Sequence, residues 1–549
     1  MIRSRLVVTK QTPLAPRGMV VAEHWRGAEV GATILERGGN AIDAAVATAI
    51  AMTVIEPFMS TVAGSGTMLV HLAKKGETVA LNFNGIAPLA AHDSIYRIAS
   101  GVSDGLFAWP RTESSANEYG HLAVAVPGSL AGLALAVEKY GTMEWRDVVA
   151  PAIKLARDGF EVDWYLAQNQ AKAAEDLQAF PETARTYLRQ SKWAHRPAGM
   201  QAGDTMIYAD LARSLALIAK DGPDALYKGA LGQALVDDMK AHGGLIRSED
   251  LRAYRVLVEP ALTMRYRDTD LAFSPGSTGG PTAVEIMNIL AEFPSSRVGW
   301  NTVEGLHVRA SAIARAFRDR FEHLGDPAMV KVPWERLLSR EYARGVAAEI
   351  RRGKPASRRA PRAADECTTH VGAIDKQRNM VALTNTAVSL WGSRVVVPGT
   401  GILLNNGMIW FNPEAGKANS VASGKRGLVN MVPVLGFKRG QPSFTLGAPG
   451  GRGIVSGIPQ VVSNIVDLKA SPQAAIEAPR VHTEGAEVLV STRVGDKALA
   501  GLAKKGHAVV PKEESYSSLN FSRPIAIRVT PRGLEAGCEQ YCAASAAGH

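Results

Sequence analysis

Two short runs in this chain could do chemistry together: Thr368-Thr369-His370, and the glycine turn Gly447-Ala448-Pro449-Gly450-Gly451. As a tripeptide, Thr-Thr-His is unremarkable. Its position is what counts, because it opens a predicted strand directly after a flexible segment. A threonine hydroxyl is a poor nucleophile without a base beside it. A free α-amine, with a pKa of about 8, is such a base, and Thr368 carries one only if it begins a chain. Cutting between Cys367 and Thr368 would create that group and release the preceding segment as a mobile tail. The glycine turn ends a strand and precedes RGIVSGIPQVVSNIVDL, a predicted helix containing Pro459. Unencumbered backbone N–H groups at a helix start can hold an oxyanion. Spacing alone favours a plain glycine turn over that reading.

Other chemistries lack their signatures. There is no Walker loop, no HExxH, no GxSxG and no GxGxxG between a strand and a helix, so neither metal nor cofactor is expected. The three cysteines, Cys367, Cys538 and Cys542, form no disulfide framework or zinc pattern in 549 residues. The net charge of +10 is spread thinly, without basic stripes interleaved with aromatics, which argues against nucleic acid. The N-terminus has no apolar signal core, and residues 41–55 are too short for a bilayer and contain Asp43. A soluble cytoplasmic protein without a membrane partner is expected.

The elements that must position these residues follow from periodicity. Residues 27–37 read as an amphipathic helix closed by Gly38 and Gly39, and Asn40 can cap a second helix, AIDAAVATAIAMTVI. Residues 67–72 and 78–83 read as strands, and roughly 130–350 as helix-rich. GKPASRRAPRAADEC, residues 353–367, cannot bury a useful face and reads as an exposed processing linker. Hairpins follow: TTHVGAI with NMVALTNTAV, then VNMVPVLGF with PSFTLGA. Strands, then helices, then strands suggest a layered α+β domain rather than a doubly wound one.

The blocks GMVVAEHWRGAEVGATILERGGNAIDAAVATAIAMTVIEP, STVAGSGTMLV, PGSTGGPTAVEIMNIL, RDRFEHLGDP, TTHVGAIDKQRNMVALTNT, TGILLNNGM and GAPGG occur in an order that resembles the gamma-glutamyltranspeptidase family. The resemblance covers nearly the whole chain. It implies a four-layer αββα sandwich of the N-terminal-nucleophile hydrolase type and self-cleavage before a threonine. Residues 1–367 would form the large piece and 368–549 the small one, associated as a heterodimer, with a dimer of heterodimers left open. Amide hydrolysis or transfer would pass through an acyl-enzyme. By the same resemblance Thr368 matches the nucleophile, Thr386 the threonine that hydrogen-bonds it, and Gly450 and Gly451 the oxyanion glycines. Thr369 and His370 read as strand positions shaping the site, and Asn405-Asn406 as a structural pair.

The glutamate-recognition residues do not match. Where the family has an arginine that clamps the substrate carboxylate, this chain has Asn84; its substrate-binding asparagine is Val388. The glutamine and aspartate that serve the substrate ammonium are Gly407 and Trp410, and a serine pair is Val429 and Asn430. A carboxylate and an ammonium without charged partners each lose about 1.5–3 kcal/mol. The expected pocket is therefore less polar, with Asn84 and Asn430 as its hydrogen-bonding groups. The short stretch from Phe411 to Arg426 suggests that it lacks the covering lid of some relatives. The expectation is an autoprocessing threonine amidohydrolase or acylase acting on a small non-glutamyl amide, with acyl transfer as an accompanying activity. The alternatives are a γ-glutamyl transferase or hydrolase with a rebuilt pocket, an oxamate-like small-acid amidohydrolase, and a catalytically silent binding protein.

Overall fold

The computed structural model describes residues 8–103, 109–296, 301–353, 367–516, 518 and 520–549. Of the expected processing linker, residues 354–366 lie outside the described residues. The first helices form where the sequence places them. Asn40 caps Ala41–Ile55: its side chain accepts from the Ile42 and Asp43 N–H groups, and the Asp43 carboxylate accepts back from the Asn40 N–H at 2.9 Å. Every residue of this helix is buried. That is why it shows no amphipathic stripe: past the capping Asp43, only Thr48 and Thr53 interrupt a run of apolar residues.

Two seven-stranded antiparallel sheets make the centre. One runs Leu14–Ala15, Gly533–Cys538, Ile525–Thr530, Gln441–Gly447, Val434–Lys438, Thr269–Phe273, Leu262–Tyr266. The other runs Ser545–Gly548, Met19–Ala22, Thr369–Ile374, Met380–Thr386, Ser65–Leu72, Glu77–Phe83, Leu257–Pro260. They pack face to face through Thr369–Ile374 and Met380–Thr386 against Gln441–Gly447 and Ile525–Thr530. The Thr445 hydroxyl donates across the gap to the Val381 carbonyl at 2.9 Å. Trp25–Glu36 and Ala41–Ile55 cover the outer side of the second sheet; Gly280–Ala291, Gly453–Asp467 and Pro472–Glu477 cover the first. The architecture is the four-layer αββα sandwich. Residues before and after Cys367 supply strands to both sheets.

Two expectations gain detail. The middle of the chain is helix-rich but also contributes Leu257–Pro260, Leu262–Tyr266 and Thr269–Phe273, which complete both sheets. VNMVPVLGF is a strand only from Val434, because Pro433 has no N–H for the ladder. The residues before it leave the sheet, and the Val429 N–H donates instead to the Ser277 carbonyl at 2.9 Å. Among the described residues no helix is long and apolar enough to cross a membrane.

Candidate active site

Thr368 stands at the mouth of strand Thr369–Ile374, and Thr386 ends the neighbouring strand Met380–Thr386. Antiparallel pairing of Thr369 with Asn385 brings the two hydroxyls to 3.0 Å. The Val388 N–H donates to the Thr386 oxygen at 2.9 Å and fixes that hydroxyl beside Thr368. Val388 does this with its backbone at φ 93°, unfavourable for a β-branched residue. Thr368 itself has φ 140° in the uncut chain. Strain of this kind costs on the order of 1–3 kcal/mol and must be held by its surroundings. The neighbouring Cys367 is an anchor: its buried thiol lies 3.0 and 2.9 Å from the Phe58 and Met59 carbonyls, and burial pushes its pKa up to about 12.

Thr369 and His370 belong to the wall. The His370 Nδ1 pairs with the Thr384 hydroxyl at 2.9 Å, and burial drives its pKa down to about 3, so the ring stays neutral. The ring lies over Gly447, where an added Cβ would come within 2.0–2.4 Å of it. This contact sets the glycine turn at the Thr368 end of the sandwich. Gly450 and Gly451 adopt φ 128° and 46°, and helix Gly453–Asp467 starts two residues on. The Pro449 carbonyl is pinned by the Arg523 N–H at 3.0 Å.

Beside this centre Val388, Trp410 and Val429 meet in one apolar cluster with Ile409, Met431 and the half-buried Trp109. Gly407 opens the turn Gly407–Trp410 that presents the indole, and the Trp109 Nε1 donates to the Ile409 carbonyl at 3.0 Å. Residues 411–426 make a loop closed by the Asn412 N–H on the Asn419 carbonyl at 2.9 Å, while Trp109 packs on the cluster from a segment 300 residues before Ile409. No sequence spacing could have found Trp109.

Asn84 is fully buried, and neither its Oδ1 nor its Nδ2 has a protein partner. Its neighbour Gly85 donates to the Ser65 hydroxyl at 2.9 Å, and Ser65 pairs with Thr386 across the sheet, so Asn84 lies at the nucleophile's end of it. Asn430 is also buried; its Oδ1 accepts from Arg320 at 3.0 Å and its Nδ2 has no protein partner. Arg320, which sequence reading missed, also donates to the Val429 carbonyl at 2.7 Å; burial, together with Arg452, lowers its pKa to about 9. Asn405 has a structural part. Its amide accepts from Ala125 and Gly407 and donates to the Ala63 and Ala125 carbonyls. Asn406 likewise ties Ser389 to the Glu118 carbonyl.

An αββα sandwich with a strand-opening threonine paired to a second hydroxyl defines an amide-bond hydrolase of the N-terminal-nucleophile class. The family model described as Gamma-glutamyltranspeptidase matches residues 27–548, and the chain belongs to that family. It is 37% identical over 533 residues to an Acylase ACY 1 proenzyme of Pseudomonas sp. (strain SE83), covering 96% of this chain and 92% of that one. It is 36% identical over 526 residues to the Glutathione hydrolase proenzyme of Escherichia coli (strain K12), covering 92% and 88%. Among solved structures it is similar to a cephalosporin acylase from Bacillus halodurans, with TM-score 0.87, 28% identity and coverage of 100% and 98%. It is an autoprocessing amidohydrolase.

Proposed function

We propose that the chain cleaves itself between Cys367 and Thr368 and then hydrolyses amides whose acyl part is neutral or apolar. In processing, the Thr368 oxygen attacks the Cys367 carbonyl carbon and displaces the Thr368 nitrogen, giving an ester that water opens. The products are the Cys367 carboxylate and the Thr368 α-amine, and the two pieces remain associated as a heterodimer. In turnover the α-amine takes the hydroxyl proton and passes it to the leaving amine. Thr386 orients the nucleophile, and the N–H groups of Gly450 and Gly451 hold the oxyanion. Water then releases the acid from the acyl-enzyme.

The observation that carries the substrate reading is the apolar cluster of Val388, Trp410 and Val429, with the carboxamide of Asn430 next to it in sequence and that of Asn84 at the nucleophile's end of the sheet. A γ-glutamyl acyl group would bring a carboxylate and an ammonium against Val388, Trp410 and Val429, which replace polar partners with apolar side chains. The competing reading, a γ-glutamyl substrate in a rebuilt pocket, draws on Arg320 behind Asn430. The deciding measurement is kcat/KM for matched γ-glutamyl and neutral acyl anilides on the processed enzyme. The neutral compound is expected to win. A tenfold or larger advantage for the γ-glutamyl anilide, about 1.4 kcal/mol of transition-state preference, refutes the reading. Trp410→Ala should raise KM for the preferred substrate while leaving self-cleavage intact.

A further inference from the structure

Away from the nucleophile, His121, Asp238 and His242 bring three potential ligand atoms within 4.8 Å of one another. The His121 Nε2 lies 3.0 Å from one Asp238 carboxylate oxygen, and the His242 Nδ1 lies 3.0 Å from the other and 3.0 Å from the Asp238 carbonyl, a contact it would give up to a metal. Asp238 and His242 are four residues apart on and just beyond helix Ala230–Ala241, so they share a face. His121 arrives from a distant segment, the short turn His121–Ala123. Two imidazoles converging on one buried carboxylate is a donor set suited to a first-row divalent cation. Calcium and magnesium prefer all-oxygen shells.

We propose that this trio binds one zinc-class divalent cation through the His121 Nε2, an Asp238 oxygen and the His242 Nδ1, with water completing a tetrahedron. Bonds of about 2.0–2.2 Å place ligand atoms roughly 3.4 Å apart, so a set that now lies within 4.8 Å must draw in on the ion. The adjustment needed is that the two imidazoles, now stacked at 4.5 Å, swing apart. His242 can do so because its side chain is 56% exposed, which also gives the ion its way in, while Asp238 and His121 are held by their surroundings. The ion would tie the helix to the segment running through Ala125, whose N–H and carbonyl are both held by Asn405. That asparagine leads into Gly407–Trp410, and His121–Ala123 packs on the same turn. The site is thus a brace one layer behind the acyl pocket, and it stands independently of the reading of that pocket.

The test uses untagged full-length protein, stripped with chelator, dialysed, and titrated with zinc chloride against a chromophoric chelator. One saturable zinc per chain is expected, with a rise in Tm on zinc addition. His121→Ala, Asp238→Asn and His242→Ala should each weaken binding by about tenfold or more and remove the Tm response. His242 is exposed, so its variant tests the site without threatening the fold. No saturable binding, or zinc binding of unchanged affinity in His121→Ala and His242→Ala, overturns the proposal. The three thiols are buried and do not compete for the ion.

Discussion

Replacing Asn84 with leucine separates a binding role from a structural one, because the two roles predict opposite signs for stability. The Asn84 side chain is fully buried, and both of its polar atoms lack a protein partner. A structural buried asparagine is stabilised by its bonds, and removing it strands the groups it served. Here no protein group is served by the side chain; Tyr254 and Arg426 reach only the Asn84 carbonyl, which leucine keeps. Burying an unsatisfied carboxamide costs about 1–3 kcal/mol, so an apolar side chain of nearly equal size should leave stability unchanged or raise it within that range. Turnover should move the other way. One lost hydrogen bond to the acyl group, about 0.5–1.5 kcal/mol, lowers kcat/KM by about 2- to 13-fold. The assay pairs denaturant midpoints with steady-state kinetics on the preferred neutral anilide, both on processed protein. A variant destabilised by more than about 1 kcal/mol with kcat/KM unchanged would show that Asn84 is a structural amide and not part of the pocket.

Thr368→Ala should stay a single intact and inactive chain on denaturing electrophoresis, whereas the native protein should give pieces of about 39 and 19 kDa, by share of length. N-terminal sequencing of the small piece should begin Thr-Thr-His, and any other start refutes the mechanism. Thr368→Ser keeps the hydroxyl and should retain some processing. Gly447→Ala should block processing, since the new Cβ would sit 2.0–2.4 Å from the His370 ring; His370→Ala in the same chain should restore part of it, and failure to do so would remove His370 as the cause. Glu23 is fully buried, and desolvation raises its pKa to about 8. Its folded pKa lies above the unfolded value, so stability is present below about pH 4.5 and is lost as pH rises toward 8. Glu23→Gln should therefore be more stable than the native protein at pH 8, with the difference shrinking toward pH 5. A difference that does not vary with pH refutes the assignment.

Much of the architecture was legible where the signal is local. The Asn40 cap, the small-residue helix after it and the hairpin strands follow from spacing and turn chemistry. The pairing of Thr368 with Thr386 came from ordered sequence blocks, and its 3.0 Å geometry follows from one antiparallel register. What stayed hidden depends on distant contacts. Leu257–Pro260 is a largely exposed edge strand with no buried alternation to make it stand out among helices. Trp109 reaches the pocket, and Arg320 supports it, from segments far away in sequence. The His121–Asp238 contact likewise spans 117 residues and becomes visible only once the helices are packed.

Strand Met19–Ala22 lies between Thr369–Ile374 and Ser545–Gly548, and Ile525–Thr530 and Gly533–Cys538 lie between Leu14–Ala15 and the rest of their sheet. A cut at Cys367 therefore divides a chain whose two lengths are woven through the same hydrogen-bonded ladders. Before the cut, folding is a first-order event whose speed ignores concentration. Afterwards, any excursion to the unfolded state leaves two separate polymers that must find one another again, and return becomes second-order and dilution-sensitive. The mature enzyme's persistence is then set by how slowly it opens rather than by an equilibrium it can revisit. Heat or denaturant that a precursor survives reversibly should inactivate the processed form for good, more completely the more dilute the sample.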